Sequence, residues 1–208
     1  MPEYLKTLAV RLESDIAATR GDFDAISGHV QYLRQIIQAQ QSFARMGGAH
    51  DEVDVKELLE TALTLKGQDL KGVEISREIG DLPIVRTDRY KLLQIIVNFI
   101  ANAYDAAAEN SSSAPRIAIR VRTVLDRLEI AVEDSGVGIA PEQLARVWEF
   151  GFTTKTHGHG FGLHSAAVAA QQLGGTISAE SDGIGLGARF SVTIPINSAA
   201  QADRIAAA

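Results

Sequence analysis

The 208-residue chain contains no cysteine, which excludes disulfides and thiolate metal centres. No apolar run approaches the ~18 residues of a membrane-spanning helix, and the opening Met1-Pro2-Glu3-Tyr4-Leu5-Lys6 is too polar for a signal peptide. Positive charge is not in excess either. Twenty Lys and Arg against 26 Asp and Glu leave a net charge of −6, which argues against a nucleic-acid binder that neutralises phosphates. A single nucleotide is not excluded, because backbone N–H groups and one metal ion suffice to hold it. The chain does have hydrophobic content, 46%, enough for one substantial domain with a smaller appendage. These features together predict a cytoplasmic location without membrane contact.

From Leu5 to Ala44 the apolar residues step by three and four, the spacing of a helical bundle seam. Thr19-Arg20-Gly21-Asp22 is a candidate break, and Met46-Gly47-Gly48-Ala49-His50 reads as a helix stop and linker. Residues 1–46 are therefore expected to be a helical segment, 51–197 a second domain, and 198–208 a frayed Ala-rich tail. Within the second domain the pattern predicts a short strand at Val53-Asp54-Val55 and a helix over 56–70. Strands follow over 72–79 and at Ile84-Val85, then a long helix from Asp88 to about Asn110. A hairpin over 116–133 turns at Leu125-Asp126. A short helix over 141–147 begins with Pro. A further helix over 163–173 ends at Gly174-Gly175, and strands over 176–181 and 186–194 close the domain. Strands in adjacent antiparallel pairs, with helices between the groups, imply α+β with the helices on one sheet face.

Three features carry chemistry. The long helix is apolar almost throughout, yet Asn98, Asn102 and Asp105 fall at i, i+4 and i+7 on one stripe. Burying such groups without partners costs about 1–3 kcal/mol each, so something polar must face them. An internal polar network is one reading; a hard cation held by amide oxygens is the other. Second, Asp134-Ser135-Gly136-Val137-Gly138-Ile139 leaves a strand, where a carboxylate can accept from an exocyclic amino group and the glycines allow close backbone approach. An ordinary Asp-Ser-Gly turn looks the same. Third, Gly158, Gly160 and Gly162 alternate ahead of a helix, an arrangement suited to an anion cradle or a mobile lid. It matches neither a Walker A loop nor a Rossmann turn.

In order and spacing, Asn98-x₃-Asn102-Ala103, Asp134-x-Gly136-x-Gly138-Ile139, Phe152-Thr153-Thr154-Lys155, Gly158-x-Gly160-x-Gly162-Leu163 and Gly185-Leu186-Gly187-Ala188-Arg189-Phe190 resemble the N, G1, F, G2 and G3 boxes of sensor histidine kinases. The resemblance covers roughly 51–196. It implies a two-layer α/β sandwich of the Bergerat type, binding ATP and Mg²⁺, behind dimerising helices. Carried over by position, Asn102 would ligate Mg²⁺ and Asn98 would support the phosphates or the metal's waters, the two forming the catalytic pair. Asp134 would bind the adenine amino group, with Gly136, Gly138 and Ile139 shaping the base pocket. Thr153, Thr154, Lys155, Gly158, His159, Gly160, Phe161, Gly162 and Leu163 would close on the phosphates, with Asp105 near the ribose or metal shell. Ala188 stands where the G3 box usually has Thr. In the gyrase branch a Glu at the first N-box position activates water; Asn98 cannot act as a base at neutral pH, so transfer to an acceptor is implied rather than hydrolysis.

The resemblance further implies a response-regulator partner, a homodimer through the N-terminal helices, and an acceptor histidine. An acceptor is typically on the first helix of a dimerising hairpin, whereas His29 lies in a segment, Gly28–Arg45, that looks like the second hairpin helix and His50 lies in the linker, so the acceptor is expected upstream. His157, His159 and His164 read as lid histidines in preference to a zinc site, and Trp148 as an anchor before the lid. Two alternatives remain open from sequence: a non-catalytic nucleotide-sensing dimerisation module, and a serine kinase of the anti-sigma-factor type.

Overall fold

The computed structural model describes residues 51–67, 70, 72–110, 114–155 and 160–197, together with the helical residues Leu8, Arg11 and Leu12. The remaining expectations for the N-terminal helices, the linker, His29, His50 and the tail lie outside the described residues. The chain divides into two compact units, residues 48–153 with 160–208, and residues 1–47 with 154–159. The first unit holds every described strand and all the helices from residue 51 onward.

Strand β1 (Asp51–Val53) leads into helix α1 (Val55–Lys66). The strand predicted at 53–55 is displaced because Asp54 caps the helix: its side chain accepts from the N–H groups of Lys56 and Glu57 at 2.8 and 3.3 Å. Helix α1 stops at Lys66, short of Leu70, with Gly67 as its C-cap. Next come β2 (Glu74–Ile79), β3 (Val85–Thr87) and the long helix α2 (Arg89–Glu109), which Asp88 caps through Tyr90 and Lys91. The predicted hairpin is β4 (Arg116–Val124) and β5 (Arg127–Asp134). Helices α3 (Pro141–Leu144) and α4 (Gly162–Gln172) and strands β6 (Thr176–Glu180) and β7 (Ala188–Pro195) complete the unit. Strand β7 begins two residues later than predicted because Gly183, Gly185 and Gly187 all hold positive φ. No helix among the described residues is long and apolar enough to cross a membrane.

The main sheet has the order β2-β4-β5-β7-β6, with β1 and β3 forming a separate pair. One expectation is corrected here: β2 and β4 are neighbours but parallel. A parallel pair needs a long crossover, and α2, which lies between them in sequence, supplies it. The sheet face against the helices is a ladder of aliphatic rows. Ile119, Val132 and Phe190 align, as do Val121, Ile130 and Val192, and beside them Leu128 faces Ile194. All of these are 4% exposed or less, each contributing about 1.5–3 kcal/mol by burial. Helix α2 covers them with Ile95, Ile96, Phe99, Ile100 and Ala103. The opposite face is polar: Arg120 bridges Glu78 and Glu133, and Arg122 bridges Glu129. The Glu78 and Glu133 carboxylates push the Arg120 guanidinium still further from deprotonation.

The β4–β5 hairpin turns through Leu125 and Asp126, and Leu125 is the non-glycine residue with positive φ (58°) among the described residues. Positive φ at the first loop position is the sign pattern of a II′ turn, where Gly is favoured. Leu125 is also 93% exposed, so its side chain contributes no packing. Leu125→Gly is expected to raise stability by about 1 kcal/mol, visible as an increased denaturation midpoint with unchanged slope.

Candidate functional site

Along α2, residues four apart stack into a ridge. The ridge that matters is Asn98, Asn102, Ala106 and Asn110, the last of these the C-cap. At its first end stands α4: a Cβ built on Gly162 would lie 3.5 Å from Asn98 Oδ1. Helix α4 has Phe161 as N-cap, with no side-chain cap bond, and its first turn begins beside the Asn98 amide. At the other end stands the turn after β5. Gly136 is pressed onto Ala106 so closely that a Cβ would meet Ala106 C at 2.4 Å. Val137 N–H donates to the Ala106 carbonyl at 3.2 Å.

Asp134 lies at the end of β5 on the helix-facing side, in series with Leu128, Ile130 and Val132, and is 5% exposed. Its Oδ1 accepts from Gly136 N–H at 2.8 Å and from Ala188 N–H at 3.3 Å; its Oδ2 is also buried. The carboxylate thus sits beneath the base of the ridge, one turn of α2 beyond Asn102. The two are brought to one region of the molecule.

The loop over 181–187 backs this turn. A Cβ on Gly138 would meet the Gly183 carbonyl oxygen, and one on Gly187 that of Asp134, both at 2.0 Å. Both glycines also hold positive φ. Gly185 N–H donates to Val137 O and Gly187 N–H to Gly136 O. Ser181 knots the assembly: its hydroxyl donates to Gly187 O at 2.6 Å and accepts from Ile139 N–H at 3.0 Å. Asn110 and Ser181 are the residues that sequence reading missed.

The other predicted positions are spread more widely. Phe152 packs against the core with the Arg146 guanidinium 4.6 Å from its ring centre. Gly160 is packed on the backbone of Gly151 and Phe152, and Leu163 on the core. Thr153 is exposed; Thr154 and Lys155 belong to the other unit, and Gly158, His159 and His157 lie outside the described residues. His164 is tied to the turn beneath α4, donating from Nδ1 to the Trp148 carbonyl at 2.9 Å, while Trp148 stacks edge-on against Phe190. Asp105 is exposed and off the ridge. With Lys66, Leu70, Ile100, Ala101 and Tyr104 it lines a cavity of about 230 Å³ on the α1 side of the helix.

The sequence and the fold both have known counterparts. Residues 87–198, more than half of the chain, match the family described as histidine kinase-, DNA gyrase B-, and HSP90-like ATPases. The chain belongs to this family. Among curated relatives, its sequence is 32% identical over 168 residues to the sensor histidine kinase TmoS of Ectopseudomonas mendocina, covering 78% of this chain and 17% of TmoS. It is 34% identical over 148 residues to ZraS of Escherichia coli O157:H7, covering 70% of this chain and 31% of ZraS. The chain thus spans less than a third of the length of either. Among solved structures, the catalytic domain of the histidine kinase ThkA superposes with a TM-score of 0.64 at 24% identity, covering 72% of this chain and 97% of that one. Full-length ShkA in complex with AMPPNP gives 0.66 at 26% identity, covering 88% and 38%. The α+β ATPase domain with its five-stranded sheet is therefore the family fold.

Proposed function

We propose that this ATPase-family domain binds Mg-ATP along the α2 ridge, and that within a longer protein it transfers the γ-phosphoryl group to a histidine for relay to a response-regulator receiver domain. The observation that carries the reading is the ridge itself. One unbroken row of α2 has a helix N-terminus and an amide at one end and a buried carboxylate turn at the other. A nucleotide has the same polarity, anionic at one end and an amino-bearing base at the other.

The donor set fits the metal. Asn98 and Asn102 offer neutral hard oxygens, which suit Mg²⁺ when phosphates supply the charge. Asn102 would hold the ion, with Asn98 beside the phosphates; the ion would neutralise charge on the phosphate oxygens. The α4 N–H groups and the positive end of its dipole favour the anion. Thr153, Thr154, Lys155 and the glycine segment 158–162 are assigned to closing over the phosphates, with Phe161 and Leu163 setting the start of α4. Asp134 would accept from the adenine amino group, in a pocket bounded by Gly136, Gly138 and Ile139.

Transfer is favoured over hydrolysis because Asn98 cannot remove a proton from water, and Glu109 lies eleven residues away, ~16 Å along the helix. That the relatives are sensor histidine kinases and that ShkA takes AMPPNP, an adenine nucleotide, support the reading. Dimerisation through the N-terminal helices and a cytoplasmic location belong to the same proposal.

Calorimetric titration of ATP with Mg²⁺ and with a chelator tests the metal assignment. The wild-type chain is expected to bind more tightly with Mg²⁺, and Asn102→Ala to lose most of that gain, about tenfold or more, while binding in chelator stays within about threefold. An Asn102→Ala protein that keeps the whole Mg²⁺ increment would refute it. Supplying an acceptor-helix fragment then decides the chemistry: an acid-labile phosphoprotein product supports histidine, an acid-stable one serine.

A further inference from the structure

We infer that Asn110 is a positioning residue that fixes the base-reading turn onto the metal-binding helix, and so sets adenine affinity and selectivity; this rests on the proposed nucleotide site. An Asn at a helix end is ordinarily explained by the left-handed conformation it tolerates. Asn110 does not hold that conformation: its φ and ψ are −81° and 93°, which any residue adopts. The backbone therefore does not require Asn there. The side chain has a use instead. Its Nδ2 donates to the carbonyls of both Ser135 and Gly136, at 2.9 and 3.1 Å, so the two amide hydrogens are matched to two consecutive acceptors.

Those carbonyls follow directly on Asp134. The Gly136 carbonyl is shared, because Gly187 N–H also donates to it, which joins the Asn110 clamp to the loop behind the turn. The carboxylate is thereby held at a fixed distance from the same ridge that carries Asn102, eight residues earlier. Other contacts act beside it. Val137 N–H to Ala106 is a second tie to α2, and the Ser135 bonds run to the Arg116 and Ala114 backbone, outside the helix. Losing the Asn110 amide leaves the Val137 bond and the packing of Gly136 on Ala106 as the turn's ties to the helix, and frees the Ser135 and Gly136 carbonyls to shift against it. The base would then meet a carboxylate whose position is no longer set by the metal site.

The test uses the 208-residue chain and three ligands: ADP, inosine diphosphate, which lacks the 6-amino group, and ATP with and without Mg²⁺. In Asn110→Ala, ADP affinity is expected to fall about tenfold. Its preference over inosine diphosphate is expected to narrow, and the Mg²⁺ increment for ATP to hold, since Asn102 is two turns away. Asn110→Asp, the same size without the donor, sets a carboxylate oxygen against two carbonyls and is expected to lose more than Ala; Asn110→Ser, the milder change that keeps at most one of the two bonds, carries the test if the Ala variant does not fold. An equal loss for ADP and inosine diphosphate would mean only a structural role and overturn the inference. So would unchanged binding in these variants, leaving the nucleotide reading intact. A wild-type chain that binds no adenine nucleotide would remove both.

Discussion

Asp134→Ala is expected to lower ADP and ATP affinity by at least about a hundredfold while leaving the domain folded. Two effects combine. A hydrogen bond to a charged acceptor contributes about 1.5–3 kcal/mol, and each 1.4 kcal/mol is a factor of ten in affinity. Truncation also frees the N–H groups of Gly136 and Ala188, which Oδ1 now accepts from, so the turn loses the bonds that define its shape. The isosteric Asp134→Asn separates the two. Its amide oxygen can keep both backbone donors, so the turn should stand. Its NH₂ group would then take the place of Oδ2, a donor facing the adenine amino group, which also donates. Adenine nucleotides should therefore still be lost, whereas inosine diphosphate, which presents an acceptor at that ring position, should bind relatively better. Titration calorimetry of the two nucleotides against both variants reads this out. Near wild-type ADP affinity in a folded Asp134→Ala protein would exclude Asp134 from the base contact.

That carboxylate was legible in the sequence, for a reason the sheet makes plain. In β5 the helix-facing residues are Leu128, Ile130, Val132 and then Asp134. Strand alternation predicts an apolar residue where the chain places a charge, and such a violation marks a site that tolerates its cost. Asn98 and Asn102 stood out likewise, as amides in an apolar helix. Asp105 was drawn into the same stripe because i+7 falls close to i on a helical wheel, yet it turns to the α1 side beside Lys66. The i+4 ridge through Ala106 and Asn110 is the one that other elements touch. Nothing marked Ala106, because its part is to be small. Asn110 reads as a helix terminator, and Ser181 as the last residue of the strand over 176–181, because their partners are backbone carbonyls and N–H groups whose positions exist only after folding. The parallel pairing of β2 with β4 was hidden for a similar reason: alternation specifies a strand's faces but not its neighbour's direction.

Gly136→Ala is expected to cost about 3–5 kcal/mol from overpacking and lost hydrogen bonds. At ~2–4 °C per kcal/mol for a chain of this length, thermal melts should shift down by ~6–20 °C. Gly136 does not hold positive φ, so backbone conformation contributes nothing and the effect is steric. The new Cβ would sit 2.4 Å from Ala106 C and 2.6 Å from both Ala106 Cβ and Ala106 O. Ordinary contact requires the turn to retreat by about 1 Å, which stretches Val137 N–H to Ala106 O and both Asn110 bonds together. Gly72→Ala is the control: Gly72 has φ +83° with nothing near its missing Cβ, so it should show conformational strain alone, about 1 kcal/mol. A second-site change sharpens the test. Ala106→Gly removes only one of the three close atoms, since the other two are backbone, so Gly136→Ala paired with Ala106→Gly should regain little stability. Full rescue by that pair would mean that the turn and helix are held apart by side chains. The close backbone contact that aligns Asp134 with Asn102 would then have to be abandoned.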